Sequence, residues 1–256
     1  MVRLPSNLLS HLFLAVVAAF AVRSAYAADA YDDAVHHAGR ATADVKRDAS
    51  DHPADVLRLA GIKPGMRVID FMAGDGYYSE LTSYLVGPAG HVLLLNNPSF
   101  EKWSENGWQP RIANGRLPNV EHRIADLDKL DLPAGSVDAV LVVKVYHDLY
   151  WVDTTGQWPK VNTAAVLDQL VKALKPGGTL VIVDHSAKPG TGNSAASSLH
   201  RIDEAYARHD FESRGLKIVG HSDVLRKPQD GRDQVSYQPP ALGKTDRFVL
   251  VFRKPA

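Results

Sequence analysis

The 256-residue chain contains no cysteine and only three methionines. Disulfides, thiol nucleophiles and thiolate-bound metals are therefore outside its chemistry, and cysteine usage says nothing about its compartment. An excess of charge is also missing, since 29 basic residues balance 29 acidic ones. Without residues 1–27 the balance is 27 basic against 29 acidic, a net charge of −2. That is not the dense positive surface that phosphate-backbone binding rewards, so nucleic acid is not an expected partner. Low-complexity tracts are absent, and beyond residue 27 no apolar run is long enough to cross a bilayer. There is no Gly-x-Ser-x-Gly elbow, and no serine after a strand is set up as a nucleophile.

The first residues do carry a pattern. Arg3 precedes an apolar stretch from Leu8 to Val22, and Ala25-Tyr26-Ala27 follows before Ala28. This matches a secretory signal with a small-residue cleavage site. The stretch is short for a membrane anchor and carries Ser10 and His11. Residues 1–27 are thus expected to be a signal peptide, residues 28–50 an N-terminal helical arm and residues 51–256 a single folded domain. The mature protein is expected to be periplasmic or secreted, with no stable membrane insertion after cleavage. Its 45% hydrophobic content is enough for one substantial core.

Downstream, two periodicities alternate. Residues 30–49 read as one helix or a loosely docked arm. Asp51-His52-Pro53 fits a helix start, with Val56, Leu57 and Ala60 on one face. Strands are expected at Met66 to Phe71, His91 to Leu95, Asn119 to Ile124, Val137 to Val143 and Thr179 to Val183. Helices are expected at Gly76 to Val86, from an Asn162 cap through Leu174, and around Leu199 to Arg214. VDAVLVV, from Val137, is almost continuously apolar, as in a central parallel strand covered on both faces. Lys217 to Gly220 and Arg247 to Phe252 have no helix between them and should pair antiparallel at one edge. The fold expected is an α/β, Rossmann-like doubly wound sheet, mostly parallel, with an antiparallel last edge pair and helices on both faces. The loop from Arg226 to Thr245 is too long for a hairpin and should fold back over a face.

In such a sheet, ligands bind beyond the carboxyl ends of the strands, where the strand order reverses. Polar residues follow every apolar run: Asp70 and Ala73-Gly74-Asp75-Gly76, then Asn96 and Asn97, Asp126, Lys144 with His147 and Asp148, and Asp184 with His185. The stretch DFMAGDGYYSE has the shape of a nucleotide-cradling turn, with Gly74 and Gly76 where backbone must be bare. Met72 stands where a further glycine is common and is expected to fill space beneath the loop. His147 beside Asp148 suggests a general base toward an acceptor hydroxyl or amine, with the aromatics around them as an acceptor pocket or lid. Trp103, Trp108, Trp151 and Trp158 suggest a covered cleft. His147, Asp148, His185, His200, Asp203 and Glu204 could converge on a cation, but no tight metal signature is present. His200 and Glu204 read first as a solvated helical face or an ion pair with Arg201 or Arg208, so no metal is assigned.

The order of these residues, with LKPGG before the fifth strand, resembles a class I S-adenosylmethionine-dependent methyltransferase from about Asp51 to Lys254. More narrowly, RDASDHPADVLRLAGIKPGM, DFMAGDGYYSEL, LKPGGTLVIVDH and DRFVLVFRKP resemble a group of exported bacterial proteins described as predicted methyltransferases. The resemblance implies S-adenosylmethionine as cofactor, bound by Asp70, Ala73, Gly74, Asp75, Gly76, Asn96, Asp126, Leu127 and Lys144. It implies methyl transfer to a small-molecule acceptor; His147 and Asp148, by their own place on the rim, are the expected catalytic residues, one of them removing a proton from an alcohol, phenol or amine acceptor. The wider family usually has a carboxylate at Asn96 to accept the ribose hydroxyls; asparagine accepts one bond and donates another without charge. The alternative is an exported, non-catalytic binding protein that keeps the cleft for another ligand or partner.

Overall fold

A computed structural model of the chain describes residues 30–256; the expected leader lies outside the described residues. Two helices, α1 (Thr42–Asp51) and α2 (Pro53–Ala60), meet at His52, whose left-handed backbone (φ 43°) ends one and starts the other. Pro53 takes the first helical position of α2, where its missing N–H is not needed. The strands are β1 (Arg67–Phe71), β2 (His91–Asn96), β3 (Val120–Ile124), β4 (Val137–Val143), β5 (Leu174–His185), β6 (Lys217–Ser222) and β7 (Arg247–Arg253). The remaining helices are α3 (Tyr77–Val86), α4 (Pro98–Trp103), α5 (Gln109–Ile112), α6 (Thr163–Ala173), α7 (Ala196–Leu199) and α8 (Glu204–Glu212).

The seven strands lie in the order β3-β2-β1-β4-β5-β7-β6. All neighbours are parallel except β7, which runs antiparallel between β5 and β6. Strand order reverses between β1 and β4, which pair from Val68↔Ala139 to Phe71↔Val142. The period of two along each central strand divides the core. Ile69, Phe71, Val140, Val142, Leu180 and Ile182 fill one face with α6 and α8, while Val68, Ala139, Leu141, Val181 and Val183 fill the other with α2 and α3. Continuous apolar sequence is therefore the signature of two-sided burial here.

Two stretches depart from the expectations. Residues 30–50 form a short helix at 30–35, then α1. These are firmly seated: Tyr31 Oη donates to Ile62 O at 2.7 Å, Tyr77 Oη to Asp48 Oδ1 at 2.6 Å, and Arg111 Nη1 pairs with Asp44 at 2.5 Å. The helix expected across Leu199 to Arg214 is broken at His200 (φ 48°). Arg201 explains the break, because its buried guanidinium pairs with Asp230 at 2.7 Å and donates to Ser186 O and Gln234 O. Ile202 then bridges Ser186 at the end of β5, and Asp203 caps α8 by accepting from Ala205 N. A buried ion pair with its carbonyl partners outweighs helix propensity over these few residues.

Candidate active site

The turn after β1 is built by its glycines. Gly76 starts α3 at φ 85°, and a Cβ there would lie 2.7 Å from Leu94 Cδ1 and 3.3 Å from Arg111 Cδ. Gly74 is held by Asn96, whose Oδ1 accepts its N–H at 2.9 Å and whose Nδ2 donates to its carbonyl at 3.0 Å. Ala73 N donates to Leu95 O, and Asp75 turns outward to Arg111, which reaches both its carbonyl and its carboxylate. Met72 is buried in the core below, as expected, at φ 50°. Asp70 is sealed at the end of β1, where its carboxylate accepts from Ser79 Oγ at 2.7 Å. Burial pushes its pKa up to about 7, with the Ser79 bond opposing and Asp75 adding to the rise.

Asn96 thus spends its amide on the loop, and on Glu101 at 3.2 Å. Glu101, carried by α4 just beyond β2, also accepts from Trp108 Nε1 and pairs with His122 Nε2. The neighbouring Asn97 caps α4 through Oδ1, bonded to Phe100 N at 2.9 Å. Its buried Nδ2 has no hydrogen-bond partner among the described residues. Asn97 borders a cavity of about 700 Å³ together with Asp126, Leu127, Gln157 and Trp158. Asp126 is exposed on this rim and Leu127 is buried beneath it.

A second cavity, of about 440 Å³, lies beside the end of β4 and also touches Gln157. Phe100, Trp103, Trp151 and Tyr237 supply aromatic walls, and Lys144, His147, Asp148, His185 and His200 supply polar ones. Trp103 stacks on Trp158, with ring centres 5.6 Å apart. Tyr237 belongs to the 226–245 loop, which does fold over the rim: Ser236 N donates to Leu199 O, and the Tyr237 ring meets His200 edge-on at 4.8 Å.

His147 opens a short 3₁₀ turn after β4, where its backbone N–H and Nδ1 both meet the buried Asp184 carboxylate, at 2.9 and 2.7 Å. Its Nε2 lies 3.2 Å from Asp148 Oδ1, which is equally 3.2 Å from His200 Nδ1. Burial disfavours charge on the His147 ring, but Asp148 and Asp184 outweigh it and hold the pKa up at about 10. A ring that keeps its proton at neutral pH and has both nitrogens engaged is a donor, whereas a general base needs a free lone pair. His185 is different: burial drives its pKa well below the usual imidazole value, and its Nδ1 meets Thr245 Oγ1 at 2.7 Å. Asp203 and Glu204 stand apart from this cluster. Asp203 caps α8, Glu204 pairs with Arg226, and Arg201 and Arg208 take Asp230 and Glu212 instead.

Lys144 extends from a left-handed backbone position (φ 58°) to Asp51 at 3.0 Å. Asp51 also receives Arg47 at 2.7 Å and Arg247 at 2.6 Å, so the end of α1, the end of β4 and the start of β7 converge on one carboxylate. Burial opposes its ionisation, but Lys144, Arg47 and Arg247 together hold its pKa far below the carboxylate range. The same crowding, burial first and then Arg47, lowers Lys144 to about 8 against the pull of Asp51. Sequence reading placed Asp51 at a helix cap and did not find this hub. Its partners Lys144 and Arg247 are 93 and 196 residues away.

Residues 70–182 match a family model described as Methyltransferase domain (Methyltransf_11). The chain is 30% identical over 171 residues to the ubiquinone/menaquinone biosynthesis C-methyltransferase UbiE of Ectopseudomonas mendocina, covering 66% of this chain and 59% of that protein. It is 30% identical over 131 residues to the protein of the same name from Pseudomonas putida, covering 51% and 46%. The chain thus spans about half the length of these relatives. In three dimensions it is similar to a SAM-dependent methyltransferase from Aquifex aeolicus, with a TM-score of 0.58 at 22% identity over 81% of this chain and 92% of that one. An S-adenosylmethionine-dependent methyltransferase from Mesorhizobium loti gives 0.52 at 17% identity over 78% and 96%. The sheet order and these likenesses define a class I methyltransferase fold. With the domain match over residues 70–182, the chain is similar to S-adenosylmethionine-dependent methyltransferases of that class.

The two solved neighbours are named for S-adenosylmethionine, and the rim suits a group of that kind. The buried Asn97 amide nitrogen, unpartnered among the described residues and at the larger cavity, suits a polar adenosyl group.

Proposed function

We propose that the protein transfers a methyl group from S-adenosylmethionine to a small aromatic acceptor held in the smaller cavity. The observation that carries this reading is the pair of cavities on the carboxyl-end rim, which share Gln157. The 70–76 loop, Asn97, Asp126 and Leu127 would hold the cofactor, which supplies an electrophilic sulfonium methyl. Asn96 acts on the loop and not on the ribose, because its amide is already committed to Gly74 and Glu101.

The rest is the work of this chain's residues. Phe100, Trp103, Trp151 and Tyr237 offer flat apolar faces that position a planar acceptor and exclude water from it. Lys144, with a pKa near 8, is the wall residue able to take a proton from an acceptor hydroxyl or acidic carbon close to neutral pH. The relatives named C-methyltransferases favour carbon as the acceptor atom. The leader pattern supports action outside the cytoplasm. Among the described residues no helix is long and apolar enough to cross a membrane.

Calorimetry of the mature chain with S-adenosylmethionine and S-adenosylhomocysteine tests the reading. Saturable binding of both is expected. Absence of heat and of any thermal shift at millimolar ligand overturns it. A deuterated methyl donor, incubated with periplasmic small-molecule extract and followed by mass spectrometry, then identifies the acceptor.

A further inference from the structure

We infer that His147, Asp148 and His200 form a site for a zinc-class divalent cation on the wall of the smaller cavity. One ligand atom from each of the three lies within 4.8 Å of the other two. Asp148 Oδ1 is 3.2 Å from both His147 Nε2 and His200 Nδ1. Nitrogen and oxygen donors at about 2.0–2.1 Å around a tetrahedral zinc stand roughly 3.3–3.4 Å apart, so two of the three edges already have that spacing. Closing the third, between the imidazoles, asks His200 to move by at most about 1.5 Å.

The surroundings are those of a metal ligand set. His147 gives its Nδ1 to Asp184 at 2.7 Å, which fixes the ring and aims Nε2 at Asp148. A carboxylate behind a ligating histidine is the usual outer shell of such a site. Asp184 is fully buried, and its second oxygen holds the His147 backbone N–H, so this orientation is rigid. His200 reaches Asp148 because the chain leaves helical geometry there, at φ 48°, a cost concentrated at the residue the cluster needs. Trp151 at 4.9 Å and Tyr237 at 4.8 Å hold its ring from two sides.

Two imidazoles and one carboxylate select a transition cation over magnesium or calcium, which prefer oxygen donors. Three protein ligands facing a cavity of about 440 Å³ leave a coordination position open. A cation there would replace the proton between His147 and Asp148. Resting on the methyl-transfer reading, the open position would take an acceptor oxygen and so select acceptors that carry one.

The test uses full-length protein purified without a histidine tag, stripped with chelator and titrated with Zn²⁺ or Co²⁺ alone. One zinc per chain, with micromolar or tighter affinity, is expected, together with the visible Co²⁺ bands of a four- or five-coordinate site. Asp148→Asn and His200→Ala should weaken binding at least tenfold, and Asp184→Asn by about 10–100-fold. His91→Ala, remote from the cluster, should leave it unchanged. A wild-type Co²⁺ spectrum like that of the aqueous ion overturns the inference, and this readout does not depend on any variant folding. Zinc binding undiminished in a folded His200→Ala variant overturns it as well. S-adenosylmethionine binding is measured on the same samples: a chain that takes the cofactor but no zinc loses only this inference, and one that takes zinc but no cofactor loses only the methyltransferase reading.

Discussion

Replacing Asp70 by asparagine should remove a pH dependence that this residue imposes on stability. Its carboxyl is buried at the end of β1 and titrates near pH 7, against a usual value of 3.8. The folded state therefore binds the proton more tightly than the unfolded chain, and stability falls as pH rises from about 4 to about 7, then levels. Between pH 5 and pH 8 the loss from this group alone is about 2.5 kcal/mol. That figure follows because only the unfolded chain is ionised over about two pH units of that range, and each is worth about 1.36 kcal/mol. An asparagine side chain would keep an oxygen for the Ser79 hydroxyl and carry no charge, so the variant should lack this component. Urea unfolding of wild type and Asp70→Asn at pH 5 and pH 8 isolates it as a difference of differences. Parallel pH profiles for the two proteins would refute the buried-acid account. If the cofactor's ammonium meets this carboxylate, the variant should also bind S-adenosylmethionine about 10–100-fold more weakly at pH 8.

Other substitutions separate the remaining parts. Lys144→Met should abolish turnover while cofactor binding survives, and the wild-type rate should climb with pH through about 8 as the amine loses its proton. Asp51→Asn should destabilise the fold by about 3–5 kcal/mol, measured by denaturant unfolding, because it strips the shared partner from buried Arg247 and from half-buried Lys144 and Arg47. Asn97→Asp retains the oxygen that caps α4 but loses the unpartnered amide donor. It should therefore weaken cofactor binding in calorimetry with little change in melting temperature, whereas an equal loss of both would show that the amide serves only the cap.

Much of the fold was legible because its determinants are local. The all-apolar run of β4 marks two-sided burial, and strand boundaries fall within a residue or two of the expected ones for β1 to β4. β5 is longer than expected, running directly on from α6 through LKPGG, because pairing with β4 and β7 extends the extended segment. The region around His200 was misread because its helical pattern competes with Arg201, and the partner Asp230 that breaks the helix lies on a distant loop.

The sequence by itself determined the periodicities, the glycine turn after β1 and the polar residues that end each strand, since these are properties of neighbours along the chain. It thereby determined the rim on which a ligand must sit. Only the tertiary structure decided what each rim residue does: Asn96 clamps Gly74, Asp184 orients His147, Asp51 gathers three cations, and His200 turns to Asp148. The reason is physical. Hydrogen bonds and ion pairs set a side chain's protonation and availability, and these partners come from strands and loops that only the packed sheet brings within a few ångströms of one another.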